Sequence, residues 1–398
     1  MLGNLLFYVS FAVALYIGFL YFRDLGDVTQ MLLKVKRADT IRFIRNEYKI
    51  LAVGICALGL MLIAHFGLNA GPAWFLWVSL ALMALFYIFP WVWVHIGLRN
   101  QQNSAQYYSI EDAQAELAPA SPVIVFENNG IARAHPDSQL MRPHLAGNSE
   151  GLDGENVIMT YCAMANLGLG YIPEIQGNHC ALEVLAQHGN NLILRDNNTN
   201  EPIQQVYGRA EAAGPDGPTM QPWPTFRMTF RTFQKAYPNG TVFLNKPSSN
   251  PLLRLFDLVT ETVFSAGIAR QHNEAKPIMD NMSHSDNRLP AKTYVWGIDV
   301  GEDAVCYTHD FLIEQNNLIN TEIGGRSIVL VWDPVYESIG AWYNDTGAPI
   351  TQIDFLGSSD QGNLSRVERL KAGMFWHVWS EFYPQTDINR ATQQAKAA

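Results

Sequence analysis

The run ILAVGICALGLMLIAHFGL, residues 50–68, contains no Lys, Arg, Asp or Glu, and the charge-free stretch continues to Leu98. Coiled at about 1.5 Å per residue it covers about 28 Å, close to the roughly 30 Å hydrocarbon thickness of a bilayer. In lipid a backbone must satisfy its own hydrogen bonds, so such a segment has to be helical. Towards the C-terminus, the uncharged turn Gly67-Leu68-Asn69-Ala70-Gly71-Pro72 ends this helix and residues 73–98 supply another span. Towards the N-terminus, residues 5–21 form an apolar run at the short end of the spanning range. It has no basic leader and no small-residue cleavage site, so it reads as an anchor rather than a signal peptide. Trp74 and Trp77 at one end of the last span, and Trp91 and Trp93 at the other, match interfacial aromatic belts. His65 and His95 lie near span ends, where a polar tip reaches water, and this placement is preferred to haem ligation.

Charge separates the anchor from the rest of the chain. Of 398 residues only 16% are charged, below the usual quarter of soluble proteins. The first hundred residues carry eight Lys/Arg and four Asp/Glu, a net of +4, which leaves 19 basic and 33 acidic residues, a net of −14, for the remainder. A domain that acidic repels phosphate backbones and excludes nucleic acid as a partner. The basic residues Arg23, Lys34, Lys36, Arg37, Arg42, Arg45 and Lys49 concentrate between the first two spans. By the positive-inside rule this loop, and with three spans the domain too, faces the cytoplasm of a bacterial inner membrane. Apolar residues such as Leu32, Leu33, Val35, Ile41, Phe43 and Ile44 suggest that the loop forms an amphipathic helix along the headgroups. The four cysteines do not make a disulfide framework, although Cys162 and Cys180 are candidates for a single bridge.

Beyond the anchor the chain duplicates its own spacing. Ala132 and Leu140 are eight residues apart, as are Ala304 and Leu312; Leu140 and Asn148 are eight apart, as are Leu312 and Asn320. Short apolar strands at 123–126 and 157–161 have counterparts at 294–298 and 328–332. Each copy ends in an aromatic helix stopped by proline, with Phe230, Phe233 and Tyr237-Pro238 matching Trp376, Trp379 and Tyr383-Pro384. The expected fold is a membrane α-helical anchor plus a β-rich α+β soluble domain with internal duplication. Its divisions are the anchor (1–98), a polar linker (99–121), a first β-rich repeat (122–250), an amphipathic helix with a connecting loop (251–290), a second β-rich repeat (291–386) and a tail (387–398).

Several short motifs stand out in the first copy: Asn129-Gly130-Ile131-Ala132-Arg133-Ala134, His144, Asn148, Thr160-Tyr161-Cys162, Trp223-Pro224-Thr225-Phe226 and Tyr237-Pro238-Asn239-Gly240-Thr241. Together they resemble a bacterial family of unknown function marked by a Thr-Tyr-Cys-Pro-Leu-Cys hallmark, over residues 122–384. The resemblance implies export of the domain to the periplasm, against the cytoplasmic placement that charge favours; both placements stay open here. The hallmark departs to Cys162-Ala163-Met164-Ala165, so Ala165 replaces the second cysteine and no Cys-x-x-Cys pair exists.

Candidate chemistry gathers at Cys162, at a strand end, with His144 and His135 on the neighbouring strand. Thiolate, imidazole and the nearby Met164 thioether are the soft ligand mixture that copper favours. The plain alternative is that Cys162 is a small buried hydrophobe. No Gly-x-Ser-x-Gly elbow or His-Glu-x-x-His helix is present, and Gly168-Leu169-Gly170 lacks the third glycine of a dinucleotide loop. The function expected is an accessory or structural subunit of a membrane protein complex, of respiratory or monooxygenase type, in contact with the lipid bilayer and other membrane subunits. The alternative is a membrane-tethered copper or thiol protein acting through Cys162 and His144.

Overall fold

The computed structural model describes residues 1–27, 30, 32–214, 216–279 and 281–391. Three of the described helices, Leu2–Gly26, Arg37–Leu68 and Ala73–Gly97, are long and apolar enough to cross a membrane. Their outer faces expose Leu5 and Val9, Ile55 and Ile63, and Trp77 and Leu85. Such faces are insoluble in water and at home in lipid. Between the helices the packing depends on small residues, which let backbones approach closely where lipid supplies no hydrophobic drive. Tyr87 of the third span wedges against Gly18 and Gly54, and its hydroxyl donates to the Ala14 carbonyl at 2.7 Å. A methyl group on Gly54 would lie 2.7 Å from the Ile17 side chain. Just before Pro90 the helix widens into a π-helical stretch, Ala84–Ile88. Proline removes one donor and crowds the carbonyl four residues back, which such a widening accommodates.

The second span is 32 residues long, about 48 Å, so its first turns stand clear of a hydrocarbon layer of about 30 Å. Among the described residues no separate helix lies between the first two spans, where a headgroup helix was expected. Phe22–Gly26 prolongs the first span, and Arg37 opens the second. Ile41, Phe43 and Ile44 are buried against the domain, while Arg37 and Arg45 pair with Glu211 and Glu201 at 2.5 and 2.6 Å. Extending an existing helix adds one hydrogen bond per residue without a new nucleus, and domain carboxylates take the place of headgroups.

Along the domain run β1 (Tyr107–Ser109), β2 (Pro122–Asn128), β3 (Ile131–Pro136), β4 (Leu145–Ala146), β5 (Ile158–Cys162) and β6 (Leu167–Ile172). A hairpin of β7 (Glu174–Ile175) and β8 (Asn178–His179) precedes a four-stranded sheet of β9 (Leu182–His188), β10 (Asn191–Asp196), β11 (Glu201–Gln204) and β12 (Arg209–Ala210). Then come β13 (Gln221–Trp223), β14 (Phe226–Thr229) and β15 (Thr241–Phe243). A connecting helix, Pro251–Asn273, leads to β16 (Tyr294–Val300), β17 (Asp303–Tyr307), β18 (Leu318–Ile323), β19 (Arg326–Asp333) and β20 (Ser338–Tyr343). The chain closes with a hairpin of β21 (Ser358–Ser359) and β22 (Gly362–Asn363), then β23 (Ser365–Arg366), β24 (Lys371–Phe375) and β25 (Asp387–Asn389).

In space one sheet runs β14-β2-β3-β15, with β1 outside β15, and another runs β24-β16-β17-β25. In each, the last strand joins parallel and the inner pairs are antiparallel. Two further sheets run β4-β5-β6-β13 and β18-β19-β20-β23, antiparallel throughout. The domain is thus strand-rich with a few short helices, carried on three apolar helices. Strand β2 shows why its sequence is continuously apolar: Val123 and Val125 enter one core and Ile124 and Phe126 another, so both faces are covered.

Residues 99–121, expected as a linker, are built into the domain. Strand β1 pairs with β15, Ser109 caps a short helix at Ile110–Gln114, and Ala105, Ala113 and Leu117 are buried. The tail likewise starts as strand β25, while residues 392–398 lie outside the described residues. The two aromatic helices, Phe230–Ala236 and Trp376–Phe382, stop alike. Tyr237 (φ −134°, ψ 71°) and Tyr383 (φ −130°, ψ 65°) leave the helical region because a proline follows each. Trp379 is fully buried, stacks on Tyr383 at 4.1 Å, covers Gly297 and donates from its indole to Thr386 Oγ1 at 2.9 Å. Trp379→Ala should therefore destabilise the domain by about 3–5 kcal/mol, read as a lowered unfolding midpoint in detergent. A loss within about 0.5 kcal/mol would be that of an ordinary surface position.

Candidate functional site

Four ionisable side chains meet where the spans enter the domain. Glu47 comes from the second span and His95 from the third, while Glu183 and Arg195 face each other across β9 and β10. Arg195 pairs with Glu47, and with Glu183 at 2.9 Å. His95 lies 2.9 Å from Glu47 through Nε2 and 2.6 Å from Glu183 through Nδ1. Carboxylates only accept, so both ring nitrogens donate, and a ring donating twice is cationic. Two carboxylates are thereby matched by two cations. The Arg195 guanidinium also lies over the Tyr48 ring and donates to its hydroxyl at 2.8 Å. Burial alone would raise the Glu183 carboxyl, but His95 and Arg195 bring it below the ordinary range. The Arg195 guanidinium, penalised by the same burial, is held above its usual value by Glu47 and Glu183.

Beside this cluster lies a cavity of about 340 Å³. Gly26 and Asp27 at the end of the first span and Phe89, Trp93 and Leu98 of the third form one wall. The domain supplies Cys162, His144 and Gln187, and the connecting helix supplies Phe264 and Gly267. Cys162 ends β5 with its thiol donating to the Asn190 carbonyl at 3.4 Å. Burial pushes this thiol up to about 12, so the thiolate that attacks or ligates is suppressed. His144 sits in the left-handed region at φ 50°, its ring edge-on to Phe264 at 6.2 Å. Burial lowers it to about 4, against the opposing effect of hydrogen bonds to the Tyr161 and Leu140 backbone.

The expected ligands are not gathered at one point. His144 and Cys162 share the cavity, but His135 lies on β3 in the other sheet, bonded through Nε2 to the Tyr107 hydroxyl at 2.9 Å. Burial, helped by Arg133, lowers His135 to about 3. Among the described residues no group of three or more His, Cys, Asp or Glu is placed to hold a metal ion. Cys162 and Cys180 are both free thiols, so the candidate bridge between them is not formed. Glu47, Glu183 and Arg195 escaped the sequence reading. The signal available was Glu47, the one carboxylate of its helix after Asp39, on an otherwise apolar span.

A family model described as "Protein of unknown function (DUF3179)" matches residues 102–386. The chain belongs to the DUF3179 family. The DUF3179 match opens inside the 99–121 segment, in keeping with the packing of that segment into the domain, and leaves the three spans outside it. No curated protein and no solved structure matches the chain.

The DUF3179 domain on its anchor should respond in defined ways to substitution and to pH. Replacing Arg195 by Met leaves two buried carboxylates facing one imidazolium and should cost about 3–5 kcal/mol, measured as a lowered unfolding midpoint and faster hydrogen exchange along β9 and β10. For pH, a histidine whose folded value lies below its unfolded one takes up a proton only as the chain opens. His144 and His135 therefore favour the folded state above about pH 6.5 and cease to do so as pH falls towards their lowered values. Glu183, depressed in the folded state, acts in the same direction at still lower pH. The unfolding midpoint should decline between about pH 6.5 and 4, and His144→Gln should flatten that decline.

Proposed function

We propose that the protein is an accessory or structural subunit of a membrane protein complex, of respiratory or monooxygenase type, which holds its DUF3179 domain at a fixed height and orientation on the bilayer. The observation that carries this reading is the buried Glu47–Arg195–Glu183–His95 cluster, which joins two spans to two domain strands with side chains no more than 13% exposed. A domain that only needed to be near the membrane would be served by a flexible tether; here its position is specified.

The connecting helix supports the same reading. Its inward residues Asp257, Thr260 and Gln271 are polar and buried, while Leu252, Leu255, Leu258, Val259 and Val263 are exposed. That is the reverse of a helix on a water-soluble domain. Phe264 stacks on Trp93 of the third span at 5.2 Å, and Arg142 ties Asp257 at 2.5 Å to the Gly97 carbonyl at 2.7 Å. The outward apolar face thus continues the lipid-facing surface of the spans. We further infer that the two halves of the domain are copies of one unit, on the strength of their shared strand order and matched helix ends. The four-stranded sheet β9–β12 would then be the addition that docks one copy on the anchor, and Thr160-Tyr161-Cys162 the remnant of the hallmark.

Extraction in copolymer discs that retain native lipid, followed by native mass spectrometry, tests the subunit reading. The expected result is a fixed assembly heavier than this chain with its lipid; the chain alone in every disc overturns it. Orientation is tested on a background without native cysteines. Lys36→Cys and Glu302→Cys should label from one side of the membrane and Asn69→Cys from the other. Labelling of all three from one side would refute three spans.

A further inference from the structure

The subunit reading leaves the cavity between anchor and domain without a purpose, and a ligand bound there would be independent of that reading. One buried polar atom on its walls has no hydrogen-bond partner: Oε1 of Gln187. Gln187 is more than nine-tenths buried, at 3% exposure. A polar atom left unpaired in such a place marks a place for a ligand. The Gln187 amide nitrogen lies against the Met279 sulfur, where a donor is accommodated and a second acceptor is not, so the oxygen is the end left over. An amide oxygen accepts only, so whatever meets it must donate. The His144 ring, turned to the Tyr161 and Leu140 backbone, closes the wall beside it. A hydroxyl supplies the one donor needed and adds little other polarity to a ligand that comes from lipid.

The remaining walls are Phe89, Trp93 and Leu98 from the third span, with Val184, Leu192 and Phe264 opposite. They ask for an apolar body. A volume of about 340 Å³ lies within the range of small-molecule sites. Access is supplied by the connecting helix. Gly267 lines the cavity yet is exposed, and a Cβ built there meets nothing within 4 Å. Its neighbour on the helix, Val263, belongs to the face that continues the lipid-facing surface. The geometry points to a binding site for a bilayer-soluble alcohol or phenol, which enters past Gly267 from the lipid and donates its hydroxyl proton to Gln187 Oε1. A long hydrocarbon tail would run out by the same opening.

The proposal is tested with 2-naphthol against 2-methoxynaphthalene, which has the same ring system and no donor. Binding is measured by equilibrium dialysis of the full chain in lipid nanodiscs, with empty nanodiscs subtracted. The expected result is saturable binding of 2-naphthol, at least tenfold tighter than the methyl ether. Gln187→Leu should remove that preference, and Gly267→Trp, at a position where an added Cβ meets nothing within 4 Å, should slow or abolish uptake with the unfolding midpoint unchanged. Equal affinity for the two probes, or full binding by both variants, overturns it. So does stoichiometric copper(I) uptake that is lost in Cys162→Ala and excludes the naphthol, because the cavity would then be a soft-metal site. A high-resolution structure solved with saturating 2-naphthol that shows only ordered water on Gln187 Oε1 overturns it as well.

Discussion

The rest of the structure depends on one buried cluster of charge. Glu47 is carried on the second span yet sits wholly inside the protein, and neither lipid nor water can solvate it there. A carboxylate so placed is tolerable only with its partners in position, and those partners come from three other segments: His95, Glu183 and Arg195. The attraction between opposite charges in such surroundings is strong but sharply dependent on geometry. The cluster therefore fixes the rotation of the second and third spans relative to each other and the seat of β9 and β10 upon them. The hydrophobic core built around it runs without a break from Tyr21, Phe43 and Val94 of the anchor to Leu182 and Ile193 of the domain, and on to Trp376 and Trp379 of its far half.

Around that fixed point, polarity is arranged by depth. Basic residues at the start of the second span meet domain acids at the rim, where the pairs are partly solvated and individually weak. Further in, the charges are matched and dry. Beside them the cavity is almost wholly apolar, and the connecting helix turns its carboxylate inward to Arg142 and its leucines outward. The domain thus carries an apolar flank beside the apolar outer faces of the spans.

Much of this was legible in the sequence, and the remainder was hidden for physical reasons. Charge-free runs declare spans because lipid tolerates little else, and the helices at 50–68 and 73–97 follow them. The two aromatic helices, Phe230–Ala236 and Trp376–Phe382, are visible because a proline stops each soon after its run of rings. Strands β9–β12 were not legible: Gln187, His188, Asn190, Asn191, Gln204 and Gln205, in and beside them, are polar, yet all are buried. Three of them satisfy each other, as when Asn191 donates to Gln205 at 2.7 Å and Gln204 to Asn191 at 2.6 Å. A polar residue that is buried by pairing looks, one residue at a time, like one that is exposed. For the candidate site, the sequence placed Cys162 and His144 near each other and the cavity contains both. It could not reveal that His135 faces the other sheet, since that depends on how two sheets stack. Nor could it reveal Gln187, whose role lies in a neighbour 92 positions away.

The parallel last strand in each half has a consequence for how the protein is made. A hairpin can close as soon as its two strands exist, but a parallel neighbour must cross over from the far end of its unit. Strand β15 follows its partner β3 by about a hundred residues, and β25, at Asp387–Asn389, follows β17 by about eighty. Until β25 arrives, the edge of β17 shows unpaired amides and carbonyls. Such an open edge invites pairing with another chain. The membrane lessens the danger, since anchored nascent chains meet less freely than soluble ones, and β25 seals the sheet once it has crossed to β17.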